Sequence, residues 1–157
     1  MMSARMLTRR EVAVSLTYLR LRLEATADSN TGHSAYKKFA ALADFGVFPE
    51  IDGGGEYLSS GFTVLGSSYP SANEEWAIDA NLLGSWEDRS SSLFWFEMEG
   101  YVPAAQSVRI RFRRPSSFWG VPKGCVLKKW NGSSYDIVST FVPAEEDTDK
   151  ILNLALV

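Results

Sequence analysis

The chain has 157 residues, of which 45% are hydrophobic, and its formal net charge is −3. This length is enough for one domain with a proper core and too short for two ordinary domains. The acidic balance argues against attraction of the whole chain to nucleic acid or to an anionic membrane, because both partners require a positive field.

The ends and the cysteine content suggest a cytoplasmic site of synthesis. Residues 1–10 are basic, but Glu11 interrupts them before any apolar run, so we expect no secretory signal. No stretch approaches the roughly 20 apolar residues that cross a bilayer, and we expect no membrane insertion. A single cysteine, Cys125, can form no internal disulfide, and we expect it to be a reduced, half-buried strand residue.

Most of the chain has the pattern of short β-strands. Apolar and charged residues alternate strictly from Leu19 to Leu23, which indicates a strand with one solvated face. Periodicity alone leaves Ala35–Phe48 open between helix and strand. Further short runs follow at Phe62–Leu65, Trp76–Ile78, Phe94–Met98, Ser107–Phe112, Cys125–Trp130, Tyr135–Phe141 and Ile151–Leu156. Their spacing, with Gly, Pro, Ser and Asn between them, predicts an antiparallel β-sandwich of about eight strands with little helix.

One turn is specified more closely. Asn131-Gly132 separates two of these runs, and Asn-Gly readily adopts the pair of positive φ angles that a type I′ turn requires. We therefore expect a hairpin there.

The segment Ala77–Trp86 follows the turn-rich run Gly66–Asn73 and precedes the aromatic run Leu93–Glu99. In this order the segments resemble the galactose-binding-like (discoidin, or coagulation-factor type C) family. Tyr18–Leu23 and Ala40–Phe45 are similar to the two opening strands of its phage-borne members. The resemblance implies a jelly-roll sandwich over residues 18–157 after an N-terminal arm, residues 1–17, and favours strand for Ala40–Phe45.

Many members of that family bind calcium in the loop that corresponds to Asp79, Asn81 and Asp88. This chain departs from the family pattern at Ala80 and Gly84. We therefore expect Asp79 to cap its own loop through backbone N–H groups, and we expect no metal or other cofactor.

Aromatic residues divide into core and surface candidates. Trp86 and Trp95 are assigned to the core between the sheets, because aromatic side chains bury large apolar areas. Trp119 lies in a Pro-, Ser- and Gly-rich loop, and we expect it to be exposed. The candidate partner-binding residues are Arg113, Arg114, Phe118, Trp119 and Tyr69.

The charges are unevenly distributed along the chain. Every charged residue from Val108 to Lys129 is basic, and strand alternation places Arg109, Arg111 and Arg113 on one face. This stripe is either a solvated sheet face or the complement of an acidic surface on another copy or another protein. Residues 1–10 and the acidic residues 145–149 have the character of docking elements.

The sequence does not favour an enzyme. It has no G-x-S-x-G motif, no phosphate loop and no metal-spaced His/Cys set, and its single histidine, His33, lies in a polar loop. We expect a non-enzymatic structural or interaction protein of a bacteriophage or prophage particle, such as a tail, baseplate, fibre or adaptor component. It would be made in the bacterial cytoplasm, reside in the virion and bind other virion proteins or copies of itself. The alternative is a carbohydrate-binding module that attaches to a cell-surface glycan.

Overall fold

A computed structural model describes residues 15–30, 34–71, 73–82, 84–90, 92–116 and 119–154. Within these residues the chain forms strands and short 3₁₀ turns and no α-helix. The nine strands are β1 (Thr17–Ala25), β2 (Ala40–Phe48), β3 (Thr63–Ser67), β4 (Trp86–Asp88), β5 (Trp95–Val102), β6 (Ser107–Arg113), β7 (Cys125–Trp130), β8 (Tyr135–Phe141) and β9 (Asp149–Asn153).

The strands form two antiparallel sheets. The larger, five-stranded sheet has the order β3-β5-β1-β7-β8, and the smaller, four-stranded sheet has the order β4-β2-β6-β9. Every connection except the β7–β8 hairpin crosses from one sheet to the other. The predicted antiparallel β-sandwich is therefore confirmed. Most of the predicted arm lies outside the described residues.

Strand alternation builds the core between the sheets. Leu19, Leu21 and Leu23 of β1 point inward and are buried, while their neighbours face solvent in part. Trp86 of β4 is fully buried and packs against Phe96 of the opposite sheet, with 5.3 Å between ring centroids. Burying a large apolar side chain of this kind stabilises the fold by about 1.5–3 kcal/mol.

Trp86 was correctly assigned to the core, but the assignment of Trp95 between the sheets is wrong. Trp95 lies between Phe94 and Phe96, which are both buried on the inner side. Because neighbouring strand residues point to opposite faces, Trp95 must point outward. Its half-buried ring lies beneath Arg22, whose Cζ is 4.1 Å from the ring centroid.

Ala40–Phe48 is a strand, as the family resemblance suggested. All nine of its residues are buried, so it has no solvated face and no two-residue pattern of burial. Tyr57 covers its outer side at Gly46, where an added Cβ would lie 2.6 Å from the tyrosine ring. Tertiary packing therefore removed the signal that would have distinguished strand from helix.

The hairpin between β7 and β8 is present, but its turn is not type I′. Trp130 pairs with Tyr135, which leaves four residues in the connection, and only Gly132 among them has a positive φ, 104°. The Asn131 side chain stabilises the connection, because its Oδ1 accepts hydrogen bonds from the backbone N–H groups of Ser133 and Ser134, each at 3.0 Å.

Candidate functional site

Trp119, the main sequence candidate, is buried. It is only 8% exposed, and its ring packs 5.9 Å from the Phe39 ring, with Arg89 Cζ 5.0 Å from its centroid. Gly120 bonds to the Phe39 carbonyl and bridges to Ala40, which draws the loop against β2. The expected exposure of Trp119 is therefore wrong, because backbone pairing that the sequence does not reveal holds its loop against the sandwich.

Arg114 holds this end of the sandwich together. Its Nε donates to the Trp119 carbonyl at 3.0 Å, and its terminal nitrogen donates to the Asn30 carbonyl at 2.9 Å. Asn30 in turn accepts a bond from the Val121 N–H at 2.8 Å. Arg114 thus joins the β1–β2 and β6–β7 loops. Phe118 lies outside the described residues, and ligand binding by this loop stays a prediction.

The other sequence candidates lie in the β3–β4 connection and in β4. Tyr69 has a partly exposed ring, and its carbonyl accepts a bond from Trp86 Nε1 at 3.1 Å. Asp79 Oδ1 accepts a bond from the Asn81 N–H at 2.8 Å, which confirms that Asp79 caps its loop. The buried Asp88 carboxylate accepts bonds from the Ser90 N–H and the Ser68 hydroxyl.

Asp79 is exposed and Asp88 is buried, so these two candidate calcium ligands lie in different environments. Within the described ranges, no three His, Cys, Asp or Glu side chains are grouped so that they could hold a metal ion.

The arginine stripe of β6 is paired within the chain. Arg111 Nε lies 2.7 Å from Asp149, and Arg113 Nε lies 3.6 Å from Asp147. Arg114, just beyond the strand, lies 3.8 Å from Glu146. In the acidic segment 145–149, predicted to be a docking element, Glu146, Asp147 and Asp149 therefore pair with the arginines at the end of β6. The Arg113 and Arg114 pairs, whose acidic partners are exposed, contribute little stability and are screened by salt.

The remaining stripe residue, Arg109, belongs to a buried cluster. It forms an ion pair with Asp44 of β2, and the Tyr57 hydroxyl donates to the same carboxylate at 2.8 Å. Burial raises the pKa of Asp44, and the bonds from Arg109 and Tyr57 oppose that rise. This cluster fastens the segment that carries Tyr57 to the smaller sheet.

A surface that the sequence reading missed lies on the solvent side of the larger sheet. We call it the aromatic face and define it by Tyr18, Arg20, Trp95, Tyr101, Trp130 and Tyr135. The Tyr18 and Tyr101 rings lie 5.5 Å apart across β1 and β5, and the Trp130 and Tyr135 rings lie 5.1 Å apart across β7 and β8. Tyr101 is 68% exposed.

Arg20 packs against the second of these aromatic pairs, Trp130 and Tyr135. Its Cζ lies 5.0 Å from the Trp130 ring centroid and 5.6 Å from that of Tyr135. Its Nε donates to Glu97 at 2.6 Å and to the Tyr135 hydroxyl at 2.8 Å. The guanidinium therefore fixes both rings and is itself fixed by a buried carboxylate.

The acids of this face are also paired. Glu99 accepts a bond from the Tyr18 hydroxyl, which raises the pKa of Tyr18. Glu24 bonds to Lys128 at 2.8 Å and to Arg22. Burial acts to raise the pKa of Glu24, but these two bonds outweigh burial and lower it. The aromatic face is therefore a set of exposed and half-buried rings, in which hydrogen bonds to Glu99 and Arg20 hold Tyr18 and Tyr135.

A depression of about 590 Å³ borders this face at the β7–β8 hairpin. Its walls combine aromatic, apolar and charged side chains, and it is lined by Tyr18, Lys129, Trp130, Asn131, Gly132, Asp136, Ile137 and Val138. A second depression, of about 280 Å³, lies at the opposite, loop-bearing end beside Phe39 and Arg89.

The signal that could have identified the aromatic face was present in the sequence. The alternation that buries Leu19, Leu21 and Leu23 places Tyr18 and Arg20 on the solvated side. The same period in β5 places Tyr101 outward, but only the pairing of β5 and β7 with β1 brings the aromatic residues together.

No helix within the described residues is long and apolar enough to span a bilayer.

The chain matches no protein-family model, no curated protein and no solved structure.

Proposed function

We propose that this chain is a non-enzymatic interaction module that binds a protein partner through the aromatic face. The observation that carries the proposal is the row of partly exposed rings, Tyr101, Tyr18, Trp130 and Tyr135, with Arg20 among them, across four neighbouring strands. Tyr, Trp and Arg are the residue types that dominate the energy of protein interfaces.

The geometry also lowers the cost of binding. The rings of Tyr18 and Tyr135 are already held by hydrogen bonds to Glu99 and Arg20, so little side-chain freedom remains to be lost. Arg20 is paired with Glu97, so a partner that covers this face does not bury an uncompensated charge.

Two features support a binding role over a catalytic one. On and beside the aromatic face, Arg20 is paired with Glu97, Glu24 is paired with Arg22 and Lys128, and Tyr18 is hydrogen-bonded to Glu99. Cys125 is buried, and burial raises the pKa of its thiol, which disfavours the nucleophilic thiolate.

The setting that we propose is a bacteriophage or prophage particle, in which the chain serves as a tail, baseplate, fibre or adaptor component of the virion. Support for this setting comes from the similarity of Tyr18–Leu23 and Ala40–Phe45 to the opening strands of phage-borne galactose-binding-like domains. The partners are then other virion proteins or further copies of this chain.

The test compares tyrosines of similar exposure on two surfaces. Tyr18 and Tyr69 are each 38% exposed, the first on the aromatic face and the second in the β3–β4 connection. We expect Tyr18→Ala combined with Tyr101→Ala to reduce incorporation into assembled particles at least about tenfold, which corresponds to about 1.4 kcal/mol. Tyr69→Ala should leave incorporation unchanged. Quantitative mass spectrometry of purified particles measures both, and normal incorporation of the double variant would refute the aromatic face as the interface.

A glycan is the second candidate ligand. The depression beside Trp130 combines aromatic walls with Lys129 and Asp136, and ring stacking together with polar groups is the combination that holds a sugar. In this case Trp130→Ala should abolish the retardation of the chain in native gels that contain a soluble polysaccharide. Particle incorporation should then be unaffected.

A further inference from the structure

The sandwich has four edge strands, and their surroundings differ. The 3₁₀ turn Glu74–Ala77 packs against β3 and β4, and the turn Ile51–Gly53 packs against β9. By contrast, among the described elements only β7 packs extensively on β8. Within the part of the chain that the structure describes, the outer edge of β8 therefore carries backbone N–H and C=O groups that no other element covers.

The residues of β8 do little to protect this edge. Natural edge strands are usually short, covered, or guarded by Lys, Pro or inward-pointing charges. β8 has seven residues, none of them Lys, Arg or Pro, and its only charged residue is Asp136. Ile137 is 66% exposed, and Val142, just beyond the strand, is 67% exposed.

We propose that β8 pairs antiparallel with β8 of a second copy of this chain, so that two larger sheets join into one. This inference rests on the proposed function and names one partner, the chain itself. Every copy presents the same edge, and antiparallel pairing of identical strands about a two-fold axis satisfies both edges at once.

The charge pattern of β8 is compatible with pairing to itself. In a register centred on Val138, Asp136 lies opposite Thr140 of the second copy. The two Asp136 carboxylates are then four residues apart along the strand, about 13 Å, so no like charges face each other. Ile137 lies opposite Ser139, and exposed apolar surface is covered on both copies.

The bulge in the β7–β8 pairing limits the strength of this contact. The register shifts between Leu127 and Lys128, which leaves Val138 as the extra residue of β8. A bulge bends the strand and interrupts regular pairing, and it is one of the devices that blunt an edge. The dimer is therefore concentration-dependent and not obligate.

Joining the sheets would also enlarge the aromatic face. A two-fold axis perpendicular to the joined sheet places the outward sides of both copies on the same surface. Trp130 and Tyr135, which belong to the last two strands of each sheet, come to lie beside the junction. The pair would then present two aromatic faces side by side, which raises the avidity for a repetitive partner.

Sedimentation velocity of the full chain over a range of concentrations tests the inference. We expect reversible dimerisation, which Ile137→Lys weakens at least about tenfold, because a lysine on an edge is the usual barrier to strand pairing. Leu65→Lys is the matched control. Leu65 lies on β3, the other edge of the same sheet, and is 40% exposed. Circular dichroism and the melting temperature verify that both variants fold.

A cysteine placed in turn at each of residues 136–140 tests the register. Cys125 does not compete, because it is buried. Under mild oxidation a disulfide-linked dimer should form preferentially with Val138→Cys, since the residue at the centre of the pairing meets its own copy. The β8 contact would be overturned if cross-linking were equal or absent along the strand. It would also be overturned if only Leu65→Lys weakened dimerisation or if the chain were strictly monomeric.

The two proposals fail separately. Tyr101→Ala changes the aromatic face and leaves β8 intact, so it should reduce particle incorporation without affecting dimerisation. A chain that remains monomeric while Tyr101→Ala still blocks incorporation would refute the β8 contact and retain the proposed function. Dimerisation through β8 together with full incorporation of Tyr101→Ala would retain the β8 contact and refute the proposed function.

Discussion

Three tryptophans of this chain show how one residue type serves different purposes. Trp86 is buried, and its indole N–H donates to the Tyr69 carbonyl. Trp95 faces outward beneath Arg22. Trp119 is buried, but its indole nitrogen has no hydrogen-bond acceptor among the residues that the structure describes. A buried donor without an acceptor costs about 1–3 kcal/mol, so Trp119 stabilises the fold less than its burial alone would suggest.

The first prediction separates the Trp119 ring from its N–H group. We expect Trp119→Ala to lower the free energy of unfolding by about 3–5 kcal/mol, because it leaves a cavity beside Phe39. Trp119→Phe should cost much less, because it also removes the unpaired donor. Trp86→Phe is the control and should cost more than Trp119→Phe, since it leaves the Tyr69 carbonyl without its donor. Equilibrium urea unfolding measures all three, and equal losses for the two Phe variants would contradict this account.

The second prediction concerns two carboxylates whose pKa values shift in opposite directions. Burial raises the pKa of Asp44, so its contribution to stability is fully present below the unfolded value of about 3.9 and is lost as the pH rises through the folded pKa. For Glu24 the bonds to Lys128 and Arg22 outweigh burial and lower the pKa, so its contribution is present above about 4.3 and is lost as the pH falls through the folded pKa.

The difference in unfolding free energy between wild type and Asp44→Asn should therefore decrease as the pH rises from roughly 3 to 7, whereas the difference for Glu24→Gln should increase. Urea unfolding at several pH values provides the measurement. Slopes of the same sign would show that one of the two environments has been misjudged.

At the scale of the element, packing against other segments determined the burial of β2, and side-chain hydrogen bonds determined the form of the β7–β8 turn. β2 is covered on both sides, by the core and by the segment with Tyr57, and therefore lacks a solvated face. The β7–β8 hairpin forms where Asn-Gly indicated, but the Asn131 side chain caps a four-residue connection in place of a two-residue turn. A glycine is still required there, since Gly132 has a φ of 104°.

The third prediction compares two glycines with open surroundings. An added Cβ would meet no atom within 4 Å at either Gly132 or Gly61, but only Gly132 has a positive φ. Gly132→Ala should therefore lower the free energy of unfolding by about 1–2 kcal/mol through backbone strain. Gly61→Ala should raise it by about 0.4–1 kcal/mol, because it restricts the unfolded chain. Thermal unfolding followed by circular dichroism distinguishes the two, and stabilisation by both would contradict the conformation of the hairpin.

The whole molecule is dominated by pairings between distant parts of the sequence. Successive strands alternate between the two sheets, with the β7–β8 hairpin as the exception. The central strand β1 pairs with β5 and β7, so the larger sheet cannot form until both later strands are available. Loop closure must come before most of the stabilising contacts form.

This topology gives the fourth prediction. Refolding from urea should take milliseconds to seconds, as in other sandwiches of high contact order. Stopped-flow tryptophan fluorescence measures it, and Trp95→Phe, which leaves the buried Trp86 as a core probe, should give the same rate. Complete refolding in microseconds would mean that local structure contributes far more than the strand pairing indicates.

The sequence by itself determined the features that depend on neighbours along the chain. Alternation from Leu19 to Leu23 specified a strand and its buried face, Asp79 specified its capped loop, and Asn131-Gly132 specified a hairpin. Tertiary structure decided the features that depend on which strands meet. It buried Trp119 through the bridge to Ala40, turned Trp95 outward and paired the arginines of β6 with residues 145–149. It also assembled the aromatic face from four strands. The physical reason is that side-chain period and turn chemistry act over a few residues, whereas burial and charge pairing are settled between residues that the fold brings together from far apart in the chain.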